Sequence, residues 1–345
     1  MDSLSHLNKI LLENKKILVR GDLDVPVKEG KVVDASRLDA LRETLDYLLL
    51  RGAKVVLMGH MGRPDGKVVE ELRLNPVADY LKSLGYPVIK VNSVLGSEVT
   101  ENLKILNQGE ILLLENLRFD PREEKNDEQF STDLASLGDA FVNESFATSH
   151  RAHASTYGIV SKIKSYAGIR LCAEVENISK AIQNPESPVV AILGGVKLET
   201  KLPVIARFLS IADYILLGGK LGLTYEGDNN SKILVPIDYS SDNLDIGQKT
   251  VPMFENVIKI AKTIIWNGPM GKFEDPNFLH GTKKVAEAVA ESGAFSVVGG
   301  GDTIEALNHV GLLDKMSFVS MGGGAMLEFI AGNRLPGLEA LGYYG

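Results

Sequence analysis

Five basic side chains hold similar places along the first half of the chain. His60 and Arg63 lie in GHMGRP (59–64), Arg118 in ENLRF (115–119), Arg151 in SHRAH (149–153), and Arg37 opens a helical stretch beyond GDLD (21–24). Four of them come just after a short apolar run with the pattern of a buried strand, and Arg37 comes after a strand and its loop. A guanidinium is a planar fork that matches carboxylate and phosphate. If these groups converge, their natural ligand is a small metabolite bearing both anions. A single arginine reads as well as a surface ion-pair partner; five at one set of strand ends read as an anion cradle.

The second half has glycines at the corresponding places. Gly194-Gly195, Gly218-Gly219, Gly299-Gly300-Gly301 and Gly322-Gly323-Gly324 each follow a strand-like run. Glycine lets backbone N–H groups approach phosphate oxygens, and a helix N-terminus adds positive potential. None of these runs matches the P-loop or the dinucleotide fingerprint. Lys197 and Lys201 are spaced to share one helical face, which suits a polyphosphate. Asp302, directly after a triple glycine, suits either an Mg²⁺ shared with phosphates or the N-cap of a helix, and the two roles are compatible.

Two further clusters carry less. His150 and His153 would face one side of a helix, but zinc needs three or four ligands and no further Cys or His is near in sequence. Packing and hydrogen bonding beside Arg151 is the simpler role. The acidic run Glu123-Glu124-Lys125-Asn126-Asp127-Glu128 reads as a solvated helix start.

These residues need elements to place them. Apolar, β-branched runs predict strands at 16–20, 54–58, 87–91, 111–114 and 140–143, then at 189–193, 214–217, 233–236, 263–266, 295–298 and 317–320. Helical patterns between them include 36–50, 76–84 and 127–137, then 201–209, 254–260, 281–290 and 325–331. Asp34 or Ser36 is placed to cap the first helix and Gly52 to end it. This grammar, given twice, predicts an α/β protein with two mainly parallel sheets of five or six strands each. The helical stretch 172–183 and NPESP (184–188) mark the boundary. The tail from Leu335 is too short to fold alone and must dock on one lobe.

At 345 residues and 44% hydrophobic the chain can bury two cores. A net charge of −8 argues against nucleic acid or an anionic membrane as partner. The single cysteine, Cys172, excludes an intrachain disulfide and points to a reducing cytoplasm. No run has the length of a membrane span.

Taken together, KILVRGDLDVP (16–26), AKVVLMGHMGRP (53–64), ILLLENLRF (111–119), SHRAHAST (149–156), VAILGGVKLETK (190–201), TIIWNGPMGKFE (263–274), VVGGGDT (297–303) and SMGGGAMLE (320–328) resemble the phosphoglycerate kinase family over nearly the whole chain. The resemblance implies two Rossmann-like lobes: a substrate domain over 1–170 with the tail 333–345 docked on it, a hinge helix and linker over 171–187, and a nucleotide domain over 188–332. It implies phosphoryl transfer between 1,3-bisphosphoglycerate and ADP, giving 3-phosphoglycerate and ATP, with Mg²⁺, in a cytoplasmic monomer whose lobes close on the ligands. A metabolite- or nucleotide-binding module with weak or no transfer is the other reading of the same residues. Asp22, Leu23, Asp24, Arg37, His60, Met61, Gly62, Arg63, Arg118 and Arg151 match substrate positions. Gly195, Lys197, Lys201, Gly219, Asn267, Glu274, Gly300, Gly301, Asp302 and Thr303 match nucleotide positions, with Glu274 at the ribose. Arg37 and Lys197 match the catalytic pair, Gly322, Gly323 and Gly324 the loop at the transferring phosphate, and Asp302 the metal carboxylate.

Several positions depart from the pattern. Asp24 stands where the family has Asn, Thr200 replaces an Asp, Met321 a Thr and Met326 a Ser, and Lys220 stands where glycine continues. TYEGDNNSKI (224–233) is much shorter than the family's helical wall around the base.

Overall fold

The computed structural model describes Leu4, Leu7 and residues 11–196, 201–227 and 230–345. The chain divides into two compact units, Met1–Glu174 with Arg334–Gly345, and Val175–Asn333.

In the first unit, β1 (Lys16–Arg20) is followed by a small antiparallel hairpin, β2 (Val27–Lys28) and β3 (Lys31–Val32), and by α1 (Ser36–Leu49). Then come β4 (Lys54–Met58), α2 (Asn75–Ser83), β5 (Val88–Lys90), α3 (Ser97–Ile105), β6 (Ile111–Leu113), α4 (Glu128–Ala135), β7 (Ala140–Asn143) and β8 (Ser165–Ala167). The sheet order is β5-β6-β4-β1-β7-β8, with every pairing parallel. Side chains alternate across it as the two-residue strand period requires. Ile17, Val19, Val55 and Leu57 pack with Leu38, Leu41, Leu45 and Leu48 of α1. Leu18, Val56 and Met58 pack on the other face with Val99 of α3 and with Phe130 and Leu134 of α4. Each such buried leucine contributes roughly 2 kcal/mol. At the start of α1, Asp34 Oδ1 accepts from Ser36 N at 2.9 Å. Gly52 (φ 74°) closes that helix, its N–H reaching Leu49 O at 3.0 Å.

Helix α5 (Ile169–Gln183) starts three residues before the predicted stretch, and the division between the units falls inside it. Its first turn is held by Glu144, whose carboxylate accepts from Arg170 N at 2.9 Å and Leu171 N at 3.2 Å. That cap comes from 25 residues or so upstream, so no local signal marks the start.

The second unit contains β9 (Val189–Leu193), α6 (Leu202–Ile211), β10 (Tyr214–Leu217), α7 (Gly219–Thr224), β11 (Ile233–Leu234), α8 (Thr250–Lys259), β12 (Thr263–Asn267), α9 (His280–Glu291), β13 (Phe295–Gly299), α10 (Gly301–His309), β14 (Phe318–Ser320) and α11 (Gly323–Ile330). Its sheet, β11-β10-β9-β12-β13-β14, is also parallel throughout. Strand β11 stops before Pro236, which has no N–H to give a ladder. Helix α8 starts four residues earlier than predicted, because Asp238 accepts from Thr250 N at 2.8 Å and Pro252 falls in the first turn, where its missing N–H costs nothing. The tail forms α12 (Pro336–Ala340) and belongs to the first unit, with Gly337 N donating to Ser149 O at 2.8 Å.

Candidate functional site

Two sites emerge, one in each unit, both at the C-terminal ends of parallel strands where such sheets place ligands.

In the first unit β1 ends on Arg20, which is fully buried. Its guanidinium donates to Gly21 O, to Ser155 Oγ at 2.9 Å and to His60 Nδ1 at 2.9 Å. Arg20 is not among the site residues that the sequence singles out, because it lies within the strand and not in the loop after it. Asp22 is buried beside it and pairs with Arg37 at 3.2 Å. Burial pushes the Asp22 carboxyl up, against the pull of Arg37 and Arg20. Asp22 Oδ2 is buried with no hydrogen-bond partner among the described residues. Asp24 Oδ1 accepts from Gly62 N at 2.9 Å, and its Oδ2 lies 3.7 Å from His60 Nε2.

The loop after β4 is pinned from two directions. Asn116 donates to Met61 O at 2.8 Å and Leu72 O at 2.9 Å, and Arg118 donates to Gly62 O at 2.7 Å. Gly62 takes φ 64°, a left-handed value that favours glycine. The Leu23 and Met61 side chains are in the hydrophobic core, so these two residues offer a ligand only backbone groups. Arg63 is exposed, and half-buried Arg151 donates to His150 at 3.2 Å. His150 and His153 do not share a helix, since the short 3₁₀ turn there ends at Thr148. No group of three or more potential metal ligands occurs among the described residues.

One prediction is overturned here. The acidic run is not wholly solvated: Glu123 is fully buried, accepting from Ser155 N at 3.0 Å and Ser155 Oγ at 2.5 Å. The rest of the run behaves as expected: Glu124, Lys125 and Glu128 are exposed, and Asp127 caps α4 through Phe130 N at 2.8 Å. The charge pattern of the run could not reveal the change, because Glu123 is buried by a segment more than thirty residues away.

In the second unit the glycines bring backbones into contact. A Cβ on Gly194 would lie 2.0 Å from Pro269 O, and one on Gly268 (φ 102°) 2.3 Å from Gly194 O. Gly218, Gly300 and Gly322 are the residues immediately preceding α7, α10 and α11. A cavity of about 550 Å³ is bordered by Gly194, Gly195, Gly300, Gly301, Gly323 and Gly324, and by Lys201, Asn267, Asp302 and Thr303. Lys201 donates to Asn267 Oδ1, and Asn267 donates in turn to Gly299 O at 2.7 Å. Thr303 Oγ accepts from Gly268 N at 2.7 Å. Burial lowers the Lys201 amine to about 8, with Asp302 pulling it back up. Asp302 is the second residue of α10 and so is not its N-cap; that position belongs to Gly300. Its exposed carboxylate fits a cation held mainly by phosphate oxygens. Lys197 and Thr200 lie outside the described residues, as do Asp228 and Asn229 of the shortened stretch.

A second cavity, of about 530 Å³, shares Gly195, Val196 and Asp302 with the first and continues past Gly219, Lys220, Leu223, Leu244, Phe273 and Glu274. Val196, Leu223 and Leu244 are exposed apolar groups, suited to the face of an aromatic base.

Known proteins resemble this chain in sequence and fold. A model of the family "Phosphoglycerate kinase" matches residues 7–234 and 227–333. The chain belongs to the phosphoglycerate kinase family. It is 41% identical to the phosphoglycerate kinase of Moorella thermoacetica, over 97% of this chain and 98% of that protein. It is likewise 41% identical to that of Dictyoglomus turgidum, over 96% of each. Among solved structures it is similar to the phosphoglycerate kinases of Coxiella burnetii (TM-score 0.83, 33% identity, covering 98% of this chain and 99% of that one) and Pyrococcus horikoshii (0.88, 31%, covering 99% of each). The chain is therefore a phosphotransferase with a nucleotide co-substrate. The Moorella alignment runs over 385 positions, while 97% of this 345-residue chain is about 335 residues, so about 50 residues of that phosphoglycerate kinase have no counterpart here. The two matched stretches meet and overlap at 227–234, beside the segment that the sequence marks as short. No helix among the described residues is long and apolar enough to cross a membrane.

Proposed function

We propose that this chain transfers a phosphoryl group reversibly between 1,3-bisphosphoglycerate and ADP, giving 3-phosphoglycerate and ATP. The phosphoglycerate is held by the basic cradle of the first unit: Arg37, His60, Arg63, Arg118 and Arg151, with Asp22 and the backbone of Leu23, Met61 and Gly62; Asp24 borders the same site, where it orders Gly62 but its charge opposes the anion. The nucleotide is held by Gly195, Lys201, Gly219, Asn267 and residues 300–303, with Glu274 at the ribose and Gly322–Gly324 at the transferring phosphate.

The observation that carries this reading is the make-up of the glycine-bordered cavities. Their described lining has backbone N–H groups, Lys201 and Asp302, but no Ser, Cys or His, and the Thr303 hydroxyl is engaged. Such a site suits direct in-line transfer without a covalent relay. An acyl phosphate already carries a good leaving group, so the protein's task is to align the reactants and neutralise charge. Arg37 and Lys197 are assigned to the transferring group. Asp302 would hold Mg²⁺, which when bound supplies charge neutralisation at the phosphates. The apolar wall of Leu223, Leu244 and Phe273 supports the face of a nucleotide base in this cavity, assigned here as adenine; the chain is assigned as a cytoplasmic monomer.

The test is a coupled assay with 3-phosphoglycerate, ATP and Mg²⁺. Turnover at least 100-fold above a Lys197→Ala variant is expected; turnover equal to that variant would overturn the assignment. Calorimetry with ADP, GDP and 3-phosphoglycerate separately would then show which ligand is still bound.

A further inference from the structure

A chain of four buried side chains runs beneath the basic cradle. We infer that Glu123 is a positioning residue for the phosphoglycerate site, acting through Ser155 and Arg20 to present His60 as a neutral ring with its proton on Nε2. This rests on the reading of that cradle given above.

The polarity of each bond carries the argument. Glu123 accepts hydrogen bonds from the Ser155 hydroxyl at 2.5 Å and the Ser155 amide at 3.0 Å. The hydroxyl's lone pair is then free to accept from Arg20 Nε at 2.9 Å. A guanidinium has donors and no acceptor. The 2.9 Å contact between Arg20 and His60 Nδ1 must therefore run from arginine to ring. Nδ1 carries no proton, and the ring's N–H lies at Nε2, on the side of Asp24. The groups acting on His60 agree: burial first, then Arg20, Arg118, Arg37 and His153, hold it well below the ordinary histidine value, and among the described residues only the half-exposed Asp24 brings a carboxylate within 4 Å of the ring nitrogens. Glu123 is in turn the largest counter-charge on fully buried Arg20, ahead of Asp22 and Asp24. Burial pushes the Glu123 carboxyl up, while Arg20 and the Ser155 donors pull it down. His153 also approaches, with Nδ1 at 3.9 Å. A neutral ring held this way offers a ligand oxygen the same N–H donor at every pH at which the protein works, whereas an imidazolium would be lost above its pKa.

The experiment is long-range ¹H–¹⁵N correlation of the histidine rings in the full chain from pH 5 to 9, with His60 assigned through His60→Gln, alongside steady-state kinetics. The native protein should show His60 as the Nε2–H form without titration. Glu123→Gln and Ser155→Ala should give a mixed or titrating ring, with KM for 3-phosphoglycerate raised tenfold or more and kcat and the nucleotide KM within about threefold. Ser155→Thr, which keeps the hydroxyl, should restore both. A native His60 that titrates near 6.5 or carries its proton on Nδ1 overturns the inference. So does an unaltered ring in both variants. If Glu123→Gln fails to fold, Ser155→Ala and the native spectrum decide alone. The ring spectra need no turnover, so they decide this point even if the assigned reaction fails.

Discussion

Asp24→Asn is the substitution with the clearest arithmetic. The carboxylate lies among the groups proposed to hold the phosphoglycerate, 3.7 Å from His60 Nε2, with a side chain 38% exposed. A ligand charge at roughly 5 Å, in a site open enough for an effective dielectric of about 40, is repelled by about 1.7 kcal/mol, or roughly 15-fold in affinity. Asparagine keeps the acceptor that Gly62 N uses, so the fold loses little. The expected result is a KM for 3-phosphoglycerate lowered about 10–20-fold, with kcat and the nucleotide KM nearly unchanged. The charge is too close for strong screening, so the gap should narrow only slightly as KCl is raised from 50 to about 200 mM. The assay is initial rate against 3-phosphoglycerate at saturating ATP and Mg²⁺. An unchanged KM would mean that the bound ligand does not sense this carboxylate. A raised KM would refute the reasoning outright, because Asp24 would then be accepting a hydrogen bond from the ligand.

Three further outcomes are expected. Burial raises the Glu144 carboxyl to about 7; a carboxyl raised on folding stabilises fully below its unfolded pKa near 4.5, and the contribution fades as pH rises through 7, by roughly 3 kcal/mol. Glu144→Gln should have a lower baseline, having lost the acceptor for Leu171 N, but its Tm should lack the fall between pH 5 and 8.5 that calorimetry of the native protein shows relative to it. Lys201, at about 8, loses charge as pH rises, so the nucleotide KM should climb between pH 7 and 9.5, and Lys201→Met should raise it by roughly 30-fold at pH 7 and flatten that profile. In Gly168→Ala the new Cβ would lie 1.6 Å from Glu144 Oε2. Displacing that carboxylate from the first turn of α5 should cost about 2–3 kcal/mol, read as a lower Tm, and an unchanged Tm would show that Glu144 relocates freely.

Much of the fold is legible because it rests on local periodicity. Continuous apolar runs such as KILVR and VVAIL can only be strands buried on both faces, and both are central in their sheets. Helix α3 and strand β8 escaped notice for the opposite reason: α3 buries one residue, Val99, and β8 is three residues long. The start of α8 depends on Asp238, and that of α5 on Glu144, partners that a local window does not contain.

The candidate sites divide in the same way. Residue type and position after a strand singled out the anion cradle, because parallel strands carry their following loops to one edge whatever the side chains are. The sequence alone thus determined the fold class, the family, the charged inventory of both candidate sites and the shortened stretch at 224–233. Tertiary structure alone decided which charges are buried against a partner and which stay exposed. Glu123 and Glu124 are adjacent and chemically equal, yet one is buried against Ser155 and the other reaches Arg118 at 3.2 Å from a partly exposed position. Asp24, a cost to an anion site when read from sequence, is in the fold the acceptor that holds Gly62 in place. Burial and hydrogen-bond polarity arise between segments far apart in the chain, and for that reason they were not readable along it.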